Sequence, residues 1–178
     1  MGFQALSRHM KCLVAFYSRT GTARKVARTI ISMIGQQTSF KCDFEELVDP
    51  TNRAGTAGNK LSYQEAIEKK QVPIKPTRYD PSSYDLVILG GPVWAYTMSS
   101  AVRTYLATNA GKVKNAAFFC TYDCSGNKTT LQEMQELIGK PPIATFDATT
   151  KDVVKGKHIQ TVQNFVTALD QGMRAVVT

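Results

Sequence analysis

Hydrophobic runs and polar breaks alternate regularly along this chain. The first run, Cys12 to Tyr17, is continuously apolar, as expected of a strand covered on both faces. Directly behind it, Val26, Ala27, Ile30, Ile31 and Ile34 fall on one helical stripe, with Arg24, Lys25, Arg28 and Ser32 opposite and Gly35 as the stop. Phe40 to Glu45 alternates apolar with charged residues, which predicts a half-exposed strand at a sheet edge. Asp85 to Leu89 predicts a third strand, ended by Gly90-Gly91-Pro92; Ala116 to Cys120 predicts a fourth, and Ile143 to Ala148 a fifth. Helices are expected from about Ser99 to Thr108, with Val102, Tyr105 and Leu106 inward, and after the polar loop Thr121 to Lys128, with Leu131, Met134, Leu137 and Ile138. A last helix, from about Lys155 to Leu169, turns Ile159, Val162, Phe165, Val166 and Leu169 to the core. Between Asp49 and Pro81 the pattern loosens around one helix, Ser62 to Lys70, amid Gly55, Gly58, Pro73 and Pro76. That length is unusual for a crossover and points to an insertion with a role of its own.

Strands alternating with helices imply an α/β fold: a three-layer, doubly wound, five-stranded parallel sheet with right-handed crossovers. If the alternating strand is the edge, the order is 2-1-3-4-5. The winding then reverses between the first and third strands, and a ligand belongs beyond the carboxyl ends of the strands there. The loops after strands one, three and four should share it.

All three loops are unusual. The first, Ser18-Arg19-Thr20-Gly21-Thr22-Ala23, feeds hydroxyls and a glycine into a helix start, where unpaired amides and the helix dipole favour an anion. It lacks the Gly-Lys-Ser/Thr of a triphosphate loop and the spaced glycines of a dinucleotide fingerprint. A monophosphate held without metal remains, although an ordinary capped helix start uses the same residue types. The second loop, Gly90-Gly91-Pro92-Val93-Trp94-Ala95-Tyr96, brings the only tryptophan and a tyrosine to the same edge. Glycine there would let backbone approach a flat ring on which Trp94 or Tyr96 stacks. The third, Thr121-Tyr122-Asp123-Cys124-Ser125-Gly126-Asn127, offers polar groups for the rim of a heterocycle and Tyr122 for its second face.

Composition narrows the setting. The 178 residues suit a single domain. Met1 to His9 carry no pattern and Met10 precedes the first run, so residues 1–9 are expected to be an expression leader and 10–178 the domain. No signal peptide or membrane-spanning stretch is evident, and a cytoplasmic protein is expected. Cys12, Cys42, Cys120 and Cys124 show no metal-site spacing and are expected as buried free thiols, with Cys120 and Cys124 flanking the predicted site. The net charge of +8 is spread rather than clustered. It argues against nucleic acid; attraction of an anionic cofactor or acidic partner and a merely solvated basic surface explain it equally well.

The segments Tyr17 to Lys25, Gly90 to Ala95 and Ala117 to Thr121 resemble those of flavodoxin-like proteins, and the resemblance runs from Met10 to the last helix. FMN at this switch point is a property of flavodoxins, so the resemblance, not the topology, supplies the cofactor. It implies noncovalent FMN with its phosphate on Ser18, Arg19, Thr20, Gly21 and Thr22. Its ring would lie between the second and third loops. Three departures stand out: Ala23 replaces a third hydroxyl residue, the chain is basic where carrier flavodoxins are acidic, and Arg53 to Gly58 resembles an insertion of a bacterial branch of the family.

The expected function is therefore FMN-bound electron transfer to a redox partner protein or a small-molecule acceptor, with the flavin doing the chemistry. An alternative on the same site is an FMN-dependent NAD(P)H:quinone-type oxidoreductase. A receiver domain would need acidic residues where Tyr17-Ser18 and Leu89-Gly90 stand, and a low-molecular-weight phosphatase would need a cysteine in the first loop. Neither pattern is present.

Overall fold

The computed structural model describes residues 9–177, so the leader expected over residues 1–9 lies outside the described residues except for His9. Five parallel strands form the sheet: β1 (Lys11–Phe16), β2 (Lys41–Glu46), β3 (Leu86–Trp94), β5 (Ala116–Tyr122) and β6 (Thr145–Thr149). Their order, β2-β1-β3-β5-β6, is the predicted 2-1-3-4-5. A sixth strand, β4 (Thr97–Met98), pairs antiparallel with the far end of β3.

Helices cover both faces, as the apolar runs require. Val26, Ala27, Ile30 and Ile34 of α1 (Thr22–Gln37) pack with Val162, Phe165, Val166 and Leu169 of α6 (His158–Val177) against one face. Tyr105 and Leu106 of α3 (Ser100–Asn109) and Met134 and Ile138 of α4 (Asn127–Ile138) cover the other. Burial of these side chains, roughly 1.5–3 kcal/mol each, fixes which face each helix presents.

The structure corrects several boundaries. α1 continues through Gly35 to Gln37, because a single glycine weakens a helix without ending it. β3 runs past Gly90-Gly91-Pro92, since its ladder with β5 continues to Pro92 opposite Thr121. The last helical region divides into α5 (Thr150–Val154) and α6 around Gly156, which adopts φ 74°. Ile159 is half exposed instead of buried. The helix of the insertion, α2 (Gly55–Ile67), begins well before Ser62.

The insertion is also tied to the sheet edge. Among the described residues β2 pairs only with β1, and the returning chain meets its carboxyl end. The Lys75 amide donates to the Val48 carbonyl at 2.8 Å, and the Arg78 and Tyr79 amides donate to the Glu45 carboxylate at 2.7 and 3.0 Å. These bonds tie the returning chain to the carbonyl just beyond β2 and to one β2 side chain.

Candidate functional site

At the carboxyl end of β1, Tyr17 and Ser18 are buried and the chain turns outward through Arg19 and Thr20. Gly21 takes φ 95°, a left-handed conformation that glycine adopts without a Cβ penalty, and α1 starts at once. Ser18 Oγ accepts from the Gly21 amide at 3.2 Å and the Arg24 amide at 3.1 Å. This hydroxyl therefore stitches the loop into a fixed curve. The Thr22 and Ala23 amides sit in the first helical turn, where no intrahelical acceptor exists. Ala23 is 1 % exposed within the core, which explains a small apolar residue at that position.

The carboxyl end of β3 leaves the parallel ladder as a hairpin with β4. Its two turn residues, Ala95 and Tyr96, have φ 48° and 64°. That is the twist a two-residue hairpin needs, here without the usual glycine or asparagine. Trp94 stands just before the turn, its ring 5.5 Å from and perpendicular to that of buried Tyr17. The β5–α4 loop packs onto the hairpin through Gly126, where a Cβ would fall 2.6 Å from Tyr96 Cα.

These loops enclose a cavity of about 400 Å³ at the winding reversal, within the range of small-ligand sites. From the first loop it is lined by Ser18, Arg19, Thr20, Thr22 and Ala23; from the hairpin by Pro92, Val93 and Trp94; and from the third loop by Thr121, Tyr122 and Asp123. Six residues singled out in the sequence lie off its wall. Gly21 instead borders a second groove, toward Arg24, Lys25 and Arg28. Gly91 is buried against Val102, with a Cβ position 2.8 Å from Val102 Cγ2, so its smallness serves helix packing. Ala95 and Tyr96 form the turn, Tyr96 being 61 % exposed, while Ser125 and Gly126 lead into α4.

One lining residue, Thr150, escaped the sequence reading. It opens α5 directly beyond β6, and its hydroxyl donates to the Tyr122 carbonyl at 3.4 Å. The rule that ligands gather beyond strand carboxyl ends extends to β6, so that signal was present.

Burial raises the pKa of Tyr17, with Asp49 adding to it, so this phenol stays neutral. Burial likewise pushes the Cys120 thiol far up, leaving it inert beside the site. All four cysteines are free thiols, but only Cys12 and Cys120 are buried; Cys42 is half-buried and Cys124 exposed. Among the described residues no helix is long and apolar enough to cross a membrane.

A family model described as Flavodoxin matches residues 11–155. No curated protein matches the sequence significantly. Solved structures that are similar in fold include a flavoprotein from Lactobacillus acidophilus in complex with FMN (20 % identity, 82 % of this chain and 97 % of that one, TM-score 0.65). A flavodoxin from the domain Archaea (14 %, 93 % and 99 %, TM-score 0.59) and oxidised flavodoxin 2 from Bacillus cereus (16 %, 90 % and 98 %, TM-score 0.55) also match. The family match over residues 11–155 exceeds half of the chain and spans all the loops that meet at the cavity: the chain belongs to the flavodoxin family.

Proposed function

We propose that this protein binds FMN noncovalently in the cavity and works as a one-site electron carrier. The observation that carries the proposal is the division of labour around the cavity. A loop of amides and hydroxyls lies at one side, and two aromatic residues from different loops, Trp94 and Tyr122, lie elsewhere on the wall. A phosphorylated flat heterocycle matches that division, and the Lactobacillus acidophilus flavoprotein was crystallised with FMN.

On this reading the Thr22 and Ala23 amides and the Thr20 and Thr22 hydroxyls hold the phosphate, and Ser18 keeps the loop in shape for them. Trp94 and Tyr122 pack on the ring and exclude water from it, while Thr121 and Asp123 offer polar groups to its rim. When bound, FMN supplies the redox chemistry. The chain's own contribution is orientation, dryness and the local field.

A redox partner with an acidic docking face, or an anionic acceptor, fits the basic side of α1. Arg24, Lys25 and Arg28 line the groove that Gly21 shares with the phosphate loop. Such a face raises the encounter rate with anionic partners. Purified protein loaded with FMN is expected to oxidise NAD(P)H only when a separate reductase is added. Steady NAD(P)H oxidation by the holoprotein alone would replace the carrier with the NAD(P)H:quinone-type reductase.

A further inference from the structure

The insertion carries a buried, fully partnered arginine. Arg53 precedes α2, and its side chain is 3 % exposed. Its Nε donates to Asp49 Oδ2 at 2.6 Å, its Nη2 to Glu65 Oε2 at 2.7 Å and its Nη1 to Ser62 Oγ at 3.1 Å. The guanidinium carbon lies 5.0 Å from the centroid of the Trp94 ring. Arg53 is not part of the cavity wall, whereas Trp94 is.

The backbone around Arg53 is fixed as tightly as its side chain. A Cβ on Gly58 would fall 2.1 Å from the Arg53 carbonyl carbon, so only glycine lets the first turns of α2 settle there. Ser62 donates to the Gly58 carbonyl at 2.8 Å, completing the brace. Arg19, which lines the cavity, donates through Nη1 to the Arg53 carbonyl at 3.4 Å and to Asn59 Oδ1. Two wall residues from different loops thus hang on one short stretch of the insertion.

We propose that Arg53 is a positioning residue of the cofactor cavity: its guanidinium, held by Asp49, Glu65 and Ser62, clamps one face of the Trp94 indole and thereby sets the ring for the cofactor. Arginine suits the task because a planar fork can meet three acceptors and lie against an aromatic ring at once. A lysine ammonium keeps the charge that the two carboxylates need, but it has no plane to lay on the indole. Tyr17 closes the arrangement edge-on at 5.5 Å, so the indole is gripped by a face and an edge. The insertion is, on this account, a buttress for the aromatic wall. The cofactor part of the proposal rests on the FMN reading above, while the clamp itself exists without a ligand.

Trp94 is the sole tryptophan, so intrinsic emission reports on this one ring. The test compares wild type with Arg53→Lys, first without cofactor. Acrylamide quenching of the apoprotein should rise about twofold and emission anisotropy should fall, with far-UV circular dichroism unchanged. FMN Kd should then rise roughly fivefold or more, and in a Trp94→Phe background the same substitution should change Kd less than about twofold. Unchanged quenching and anisotropy in Arg53→Lys would overturn the clamp. An undiminished Kd effect in the Trp94→Phe background would overturn positioning through the indole. If Arg53→Lys does not fold, the charge-neutral triple variant Asp49→Asn, Arg53→Gln, Glu65→Gln makes the same comparisons, with the same outcomes deciding. Failure of wild type to bind FMN would instead sink the cofactor reading, and the apoprotein comparison would still decide the clamp.

Discussion

Ser18 shows how much one hydroxyl can organise. By accepting the Gly21 and Arg24 amides it fixes the loop that faces the proposed phosphate. Ser18→Ala combined with Thr20→Ala should therefore weaken FMN binding by roughly tenfold or more, since hydrogen bonds to charged groups contribute about 1.5–3 kcal/mol each. Titration of the variant against wild type checks this, and unchanged affinity would remove the loop from the site. A second residue-scale prediction concerns His158, which is 2 % exposed with Nε2 3.3 Å from Thr29 Oγ1. Burial lowers its pKa, Lys25 adding to the effect and a hydrogen bond with Asp152 backbone opposing it. The unfolded chain then takes up the proton first, at about pH 6.5. Stability from this site is complete above that pH and is lost as pH falls toward the folded value. Thermal midpoints measured from about pH 7.5 down to about pH 5 should fall, and His158→Gln should flatten the slope. The place of Ser18, Thr20 and Trp94 on the cavity wall was legible because it follows from their position at the carboxyl ends of strands. Arg53 was not, because its partners Asp49, Glu65 and Trp94 meet only after folding.

At the scale of elements, the β3–β4 hairpin is the least relaxed part of the site. Tyr96 holds φ 64° with a full side chain that is largely exposed. A left-handed conformation costs a non-glycine residue about 1–2 kcal/mol, partly offset by glycine's greater chain entropy. Tyr96→Gly should thus raise the thermal midpoint by about 1–3 °C, read by differential scanning calorimetry. Gly126→Ala should do the reverse. Its Cβ would press on Tyr96 Cα at 2.6 Å from a backbone at φ 95°, lowering stability by about 2 kcal/mol or more. Long apolar runs made β1, β5 and α1 readable, because burial on a whole face dictates every second or fourth residue. α2 hid from the same logic: its inward stripe is Gly58, Ser62 and Ala66, small residues with little apolar area, of which Gly58 and Ser62 meet Arg53. The hairpin hid as well, since Gly90-Gly91-Pro92 resembles a strand end while the ladder to β5 continues through it.

The sheet order was readable for the whole molecule because Phe40 to Glu45 alternates apolar with charged residues while the runs of β1, of Leu86 to Leu89 and of Ala116 to Cys120 are continuously apolar, and that asymmetry locates the edge and with it the switch point. Charge acts at this scale too. With Lys and Arg at 22 against Asp and Glu at 14, the field of the protein favours an anionic guest. The reduced, anionic cofactor should be less disfavoured than in an acidic flavodoxin, so its lower reduction potential should be less negative and should fall as salt screens the field. Spectroelectrochemistry at two ionic strengths reads both effects, and a potential as low as that of acidic relatives would contradict them. The central claim, one FMN held by its phosphate against Trp94, is tested most directly by titrating apoprotein with FMN and with riboflavin while following tryptophan emission. The account predicts quenching that saturates at one FMN per chain and much weaker quenching by riboflavin; no saturable quenching, or equal affinity for both, would contradict it.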